Sequence, residues 1–253
     1  GWEWDRINHV LDHSLMSFVA HQSFIESIAL SPDGKRLVTG GVDKVIKVWD
    51  IATGKELITL PEAHRARINC VAFSPDGKLI VSCCDSGDVK VWDTADVSKP
   101  TTSIRHGGIW IPHVSFSPDG NQIVSATGYD GSIKVWDVVT GNEIPTVSRR
   151  TEGLTFAAFS PNGKHIVSAD EDGMITVWDS VSAEEVMSIA GHDQGIYTMS
   201  FNSDGSLFAS GSGDNTIKIW DATTGSLVMT LRGHDGPIRS ITFSAGSSFS
   251  RCQ

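Results

Sequence analysis

Apolar and polar residues alternate along this chain in short bursts separated by turns. Stretches such as Val45-Ile46-Lys47-Val48-Trp49 alternate with a period of two, and short apolar runs such as Leu37-Val38-Thr39 and Ile123-Val124-Ser125 precede them. Successive side chains of a strand point to opposite faces, so this alternation between turn signals predicts β-strands. No helical spacing competes with it. A turn of the Ser-Pro-Asp-Gly kind ends the first strand of each unit, at residues 31–34, 74–77, 117–120, 160–163 and 202–205. Pro and Gly supply the backbone geometry such turns need.

The bursts repeat. Trp-Asp pairs stand at Trp49-Asp50, Trp92-Asp93, Trp136-Asp137, Trp178-Asp179 and Trp220-Asp221, spaced 42 to 44 residues apart, and Trp4-Asp5 lies 45 residues before the first. A fixed period of this length marks a repeat architecture in which each unit buries its faces against its neighbours. A His precedes the first strand of most units, at His21, His64, His106, His192 and His234. With spacing, His, turn and Trp-Asp in the same order over nearly the whole chain, the sequence resembles the WD-repeat family.

That resemblance implies an all-β fold, a β-propeller whose blades each hold four strands, a to d, from the axis outward. Internal blades are expected at about 21–60, 64–105, 106–148, 150–189 and 192–231. Residues 237–243 read as a strand a and 248–253 take the place of a strand b, while residues 1–5 take that of a strand c and 14–20 that of a strand d. The expected ring therefore has six blades, the closing blade shared by both termini as strands c and d from 1–20 and a and b from 237–253. The length of 253 residues divided by six is about one repeat. A seven-bladed parent from which part is missing is the alternative.

Within a blade, a Trp N–H, a hydroxyl, an imidazole and a carboxylate can satisfy one another when buried. The resemblance assigns such a network to His21, Thr39, Asp43 and Trp49, to His106, Ser125, Asp130 and Trp136, and to His192, Ser210, Asp214 and Trp220. The second unit has Ser86 at the Asp position and the fourth has Arg150 near the His position, so those blades are expected to be less rigid. Recurrence in successive repeats makes these Ser, His and Asp residues framework rather than catalytic triads. Residues 168–173 do not fit a sialidase-type box, and neither a Walker loop nor a His-Glu-x-x-His pair occurs. No catalytic residue, metal ligand or cofactor is expected.

Composition narrows the partners. Thirty acidic against twenty basic residues give a formal charge of −10, which disfavours a phosphate backbone as partner. Cys70, Cys83, Cys84 and Cys252 lack metal or redox spacing and read as reduced thiols, Cys83 and Cys84 pointing to opposite faces of one strand. No apolar run approaches the ~20 residues of a membrane span, and no signal core follows the N-terminus. A cytoplasmic propeller, with the nucleus as alternative, is the expectation, monomeric in itself and open to membership of a larger complex. The start at Gly1 reads as a tag remnant or as a piece of a longer chain.

The loops entering strand a and those between b and c share one face around the channel. Positions there give an outer set, Phe24, Arg67, Trp110, Gly153, Gly195 and Pro237, and an inner set, Glu26, Asn69, Pro112, Thr155, Tyr197 and Arg239. Val42, Asp85, Tyr129, Glu171 and Gly213 add the b–c turns. Phe24, Glu26, Arg67, Trp110, Tyr129, Glu171, Tyr197 and Arg239 are the candidate partner-binding residues, with Phe24, Trp110, Tyr129 and Tyr197 as an aromatic rim. Glu26, Asp85 and Glu171 suit a peptide carrying Lys or Arg, whereas His113 and the Arg149-Arg150 pair would suit an anion. The expected function is a scaffold for other proteins or peptides, with a carbohydrate-binding propeller as the alternative and an enzyme built on the propeller as a further one.

Overall fold

A computed structural model of the protein describes residues 20–107, 109–144 and 153–243. Five antiparallel four-stranded sheets account for the strands of this region, and no helix occurs among the described residues. The first sheet is β1 (Ile25–Leu30), β2 (Arg36–Gly41), β3 (Ile46–Asp50) and β4 (Glu56–Leu60); the second is β5 (Ile68–Phe73), β6 (Leu79–Cys84), β7 (Asp88–Asp93) and β8 (Thr102–Arg105). The third is β9 (His113–Phe116), β10 (Gln122–Ala126), β11 (Ile133–Asp137) and β12 (Glu143–Ile144). The fourth is β13 (Leu154–Phe159), β14 (His165–Asp170), β15 (Met174–Asp179) and β16 (Glu185–Ala190), and the fifth is β17 (Ile196–Phe201), β18 (Leu207–Ser212), β19 (Ile217–Asp221) and β20 (Leu227–Leu231).

Each sheet follows sequence order, so the first-to-second and third-to-fourth strand turns share one end, and the second-to-third turns and the connections between sheets share the other. Local hydrogen bonds hold the first of these ends. In the Ser-Pro-Asp-Gly turn, the Ser31 hydroxyl donates to Asp33 and accepts from the Arg36 amide at 2.9 Å, and Gly34 takes φ +67°, which its missing Cβ permits. The Asp of each Trp-Asp pair turns the chain into the outer strand: Asp50 accepts from the Thr53 amide at 2.8 Å and from its hydroxyl, and Asp137 and Asp221 do the same with Thr140 and Thr224.

Packing between sheets makes the core. Each seam contains the Trp of the later sheet: Trp92 with Val38, Ile46 and Ile68, Trp136 with Val81, Val89 and Val114, Trp178 with Val124, Leu154 and Ile166, and Trp220 with Phe156, Ile196 and Phe208. Both faces of an inner sheet are thereby dry, which is why its strands read as apolar runs rather than as clean alternation. The first strands β1, β5, β9 and β17, with Phe156 of β13, line one central cavity of about 650 Å³ together with residues Arg239, Ser240 and Ile241. This is the arrangement of a β-propeller.

Residues 237–243 form no strand ladder, yet Ile238 is buried and its amide donates to the Ser212 carbonyl at 3.0 Å, while the Ile241 amide donates to Thr198 Oγ1 at 3.3 Å. A ladder needs a paired neighbour, and residues 248–253, expected to supply it, lie outside the described residues, as do the expected strand at 1–5, residues 14–19 of the other, Arg149, Arg150 and Cys252.

Candidate functional site

The framework comes first. In every sheet the buried Trp N–H donates to a hydroxyl on the second strand: Trp49 to Thr39 at 3.0 Å, Trp92 to Ser82 at 2.9 Å, Trp136 to Ser125 at 2.8 Å, Trp178 to Ser168 at 2.9 Å and Trp220 to Ser210 at 2.8 Å. An indole can only donate, so the hydroxyl must pass its own proton onward. In the first and fifth sheets it goes to a His: Thr39 lies 2.7 Å from His21 Nε2 and Ser210 lies 2.7 Å from His192 Nε2. Each ring then donates through Nδ1, His21 to Asp43 at 2.9 Å and His192 to Asp214 at 2.8 Å. Every proton has an acceptor with the imidazole neutral. Burial keeps His192 below the usual imidazole range, and although burial opposes it, hydrogen bonds from Thr216 and His192 hold Asp214 down to about 2.

The third sheet departs from the expected set. His106 makes no hydrogen bond through either ring nitrogen and instead packs edge-on against Trp136, centroids 5.5 Å apart. Asp130 accepts from Thr127 and Ser132 rather than from the His. The cause is length: Ser125 pairs with Lys134, nine residues on, whereas Thr39 pairs with Lys47, eight on, and the extra turn residue carries the carboxylate away. In the second sheet Ser82 donates to His64 Nε2 at 2.7 Å, but Nδ1 has no partner because Ser86 turns to Cys84 and Asp88. Burial drives His64 down to about 3 and His106 down to about 4.

One recurring partner escaped the sequence reading. Lys47, Lys90, Lys134 and Lys218 lie over the ring of the Trp two residues later at 5.3–5.9 Å, with Lys90 and Lys218 also donating to the carbonyls of Ala63 and Gly191 at 2.6 Å. The Lys-x-Trp spacing was its signal.

The candidate binding residues sort into two groups. Glu26, Asn69, Thr155 and Tyr197 are the residues skipped by register shifts between Ile25 and Ser27, Ile68 and Cys70, Leu154 and Phe156, and Ile196 and Thr198. A bulge leaves its extra residue out of the ladder and re-aims the side chain. Glu26, Asn69 and Tyr197 thus line the central cavity, with Pro112 and Arg239 completing the wall, whereas the Thr155 hydroxyl is taken up by the carbonyl of Ile196 in the next sheet. Arg239 lies over the Tyr197 ring at 4.4 Å.

The outer residues sit where backbone ties the loops together. Phe24, Arg67, Trp110, Gly153 and Gly195 accept through their carbonyls from the amides of Val42, Asp85, Gly128, Glu171 and Gly213 at 2.9–3.1 Å. Gly128, not Tyr129, occupies the shared position in the third sheet, for the reason that displaced Asp130; Tyr129 stands one residue further out and is 75% exposed. Phe24 is 80% exposed, but Trp110 is half-buried, folded onto Gly128, with φ +59°. A bulky residue rarely adopts this conformation, and such positions concentrate at functional sites. The expected aromatic rim is therefore split: Tyr197 belongs to the cavity wall, Trp110 to the loop platform, and Phe24 and Tyr129 project into solvent.

Charges at the mouth are partly matched. Arg67 lies 3.6 Å from Glu26 and 3.3 Å from Asp85, and Asn69 bridges Asp85 at 2.8 Å to the Ile111 carbonyl at 3.0 Å, linking the first three sheets. Glu171, on the other side, is exposed and packs over Gly153 and Gly195. Among the described residues no group of three or more His, Cys, Asp or Glu could hold a metal, and no helix is long and apolar enough to cross a membrane.

Comparison with known proteins agrees with this geometry. The family model described as "WD domain, G-beta repeat" matches residues 12–50, 54–93, 98–137, 141–179, 183–221 and 225–250. Over 40 residues the chain is 45% identical to pre-mRNA-splicing factor PRP46 of Yarrowia lipolytica, covering 16% of this chain and 9% of that protein. Over 54 residues it is 39% identical to Protein groucho of Drosophila melanogaster, covering 21% and 7%. Over 44 residues it is 41% identical to small ribosomal subunit protein RACK1 of Glycine max, covering 17% and 14%. Each similarity spans about one repeat and less than a sixth of the relative's length.

Proposed function

Starting from the finding that the chain belongs to the WD-repeat family, we propose that it is an interaction scaffold that binds a peptide segment of another protein across the channel mouth, with no chemistry of its own. The observation that carries this reading is the position of the residues that break the repeat. Glu26, Tyr197 and Arg239 line the channel, Arg67 lies 3.6 Å from Glu26, and Trp110 is tied by its amide to Asp85 in the loops beside them, while the Trp and the Ser or Thr residues that recur are buried in the seams. Recurrent residues hold the blades; the singular ones can discriminate between partners. Family membership supports the same reading, and two relatives are named as a splicing factor and a ribosomal subunit protein, that is, as members of assemblies.

A segment with a Lys or Arg suits this mouth. Glu171 is exposed and pairs with no Lys or Arg among the described residues, and Glu26 and Asp85 share Arg67. The propeller is proposed to act as a monomer in the cytoplasm, with the nucleus as alternative location. A lectin would need a similar pocket in each blade, and the inner positions Glu26, Asn69, Pro112, Thr155, Tyr197 and Arg239 share no residue type.

Selection of peptides from a displayed random library against the folded chain tests the proposal. Recovered ligands that compete with one another and are enriched in Lys or Arg support it. Ligands that bind independently at several places, or a glycan array bound where the library yields nothing, would replace it.

A further inference from the structure

Cys70 on β5 and Cys83 on β6 are register partners in the second sheet. Direct partners in an antiparallel pair carry their side chains on the same face with Cα atoms about 4.5–5.5 Å apart, within the range a disulfide spans. Both thiols do face the same way, into the seam with the third sheet: Cys70 Sγ donates to the Val114 carbonyl at 3.5 Å and Cys83 Sγ to the Ile111 carbonyl at 3.2 Å. The pair is unbridged. Cys84, next in sequence, points the other way, to the Ser86 hydroxyl at 3.1 Å.

Access distinguishes the two. Cys83 is fully buried, whereas Cys70 is 7% exposed and lines the central channel beside His113 and Asn69. The neighbouring Cys83 thiol pulls the Cys70 thiol below the usual thiol range, with His113 adding to the effect and burial opposing it; burial pushes Cys83 up. A reactive thiol at the channel wall backed by a second, protonated one is the arrangement of an attacking and a resolving cysteine.

We propose that Cys70 and Cys83 form a peroxide-responsive thiol pair, entered from the channel through Cys70. The Cys70 thiolate attacks a hydroperoxide oxygen: an S–O bond forms, the O–O bond breaks, and the departing hydroxide takes up the proton that the Cys70 thiol had released and leaves as one water, sulfur being oxidised to the sulfenic acid and peroxide reduced. Cys83 then attacks that sulfur, forming the S–S bond and breaking S–O, and the hydroxyl departs with the Cys83 proton as a second water. The disulfide withdraws both thiol donors from the Val114 and Ile111 carbonyls. Ile111 O also anchors Asn69, so oxidation reaches the channel mouth through that carbonyl.

The test is treatment of the folded chain with hydrogen peroxide, followed by intact-mass measurement and non-reducing peptide mapping. The pair predicts a species about 2 Da lighter, a single link joining Cys70 to Cys83, and reversal by a dithiol reductant. Cys83→Ser, with Cys83→Ala as a second version should the first fold poorly, predicts loss of the link and capture of Cys70 by a sulfenic-acid probe such as dimedone. Links that involve only Cys84 or Cys252, thiols that stay reduced at peroxide levels that oxidise free cysteine, or probe uptake away from Cys70 would overturn it.

Discussion

The indole of Trp110 lies across the Cα of Gly128, so close that a methyl group there would overlap its six-membered ring. Trp110 also bridges two sheets by backbone, its amide donating to Asp85 O at 3.0 Å and its carbonyl accepting from Gly128 at 3.1 Å. The loop is fixed, so the ring has to yield. Gly128→Ala is expected to expel the indole from its platform, seen as a red shift in tryptophan emission, and to weaken ligands of the mouth by roughly tenfold, the effect of losing one aromatic anchor. Unchanged emission and affinity would show that the ring does not rest there.

The two kinds of blade network predict unequal costs. Ser210 serves both Trp220 and His192, whereas Ser125 serves Trp136 without a bond to His106. Each buried group left unpaired costs about 1–3 kcal/mol. Ser210→Ala should therefore lower the urea-unfolding stability by more than Ser125→Ala, by about the value of one orphaned group. Equal losses would mean that the His–Ser bond contributes nothing.

Stability should fall in mild acid. His64 and His106 have folded pKa values of about 3 and 4, lowered by burial, against 6.5 for an exposed His. The unfolded chain thus binds more protons below 6.5, and the stability these rings contribute is complete above that pH and is lost as pH falls toward 4. Each titrating ring adds a slope on the order of 1 kcal/mol per pH unit. Urea midpoints at about pH 7 and pH 5 should differ, and His64→Gln should shrink the difference. Midpoints that coincide would place the rings in contact with water.

Much of the fold was legible because its information is local. Strand alternation, the Ser-Pro-Asp-Gly turns and the Trp-Asp period each lie within one repeat, so the sequence carries the sheets directly. The inner set at Glu26, Asn69 and Tyr197 was legible as positions, though not as bulges, since a bulge is a property of pairing between strands. The one-residue insertion after Ser125 was hidden because an Asp still followed, at Asp130, where composition alone satisfied the pattern. The Cys70–Cys83 pair was invisible because the two residues lie on different strands and meet only through register.

The six-bladed ring rests on what covers the first sheet. Ile28 and Leu30 on β1 are each 62% exposed, an unusual fate for the innermost strand of a propeller. A sixth blade drawn from both ends of the chain would bury them. Ile28→Ser then should cost about 1–3 kcal/mol, as for a core aliphatic, whereas an open edge would tolerate it without loss.

The most direct measurement is titration of one selected peptide ligand against three proteins: wild type, Trp110→Ala, and Val139→Ser. Val139 is exposed on the turn between β11 and β12, at the opposite end of the channel. A binding site at the channel mouth predicts at least a roughly tenfold loss of affinity for Trp110→Ala, the size expected of an aromatic hot spot, and wild-type affinity for Val139→Ser. Affinity lost with Val139→Ser and kept with Trp110→Ala would contradict it.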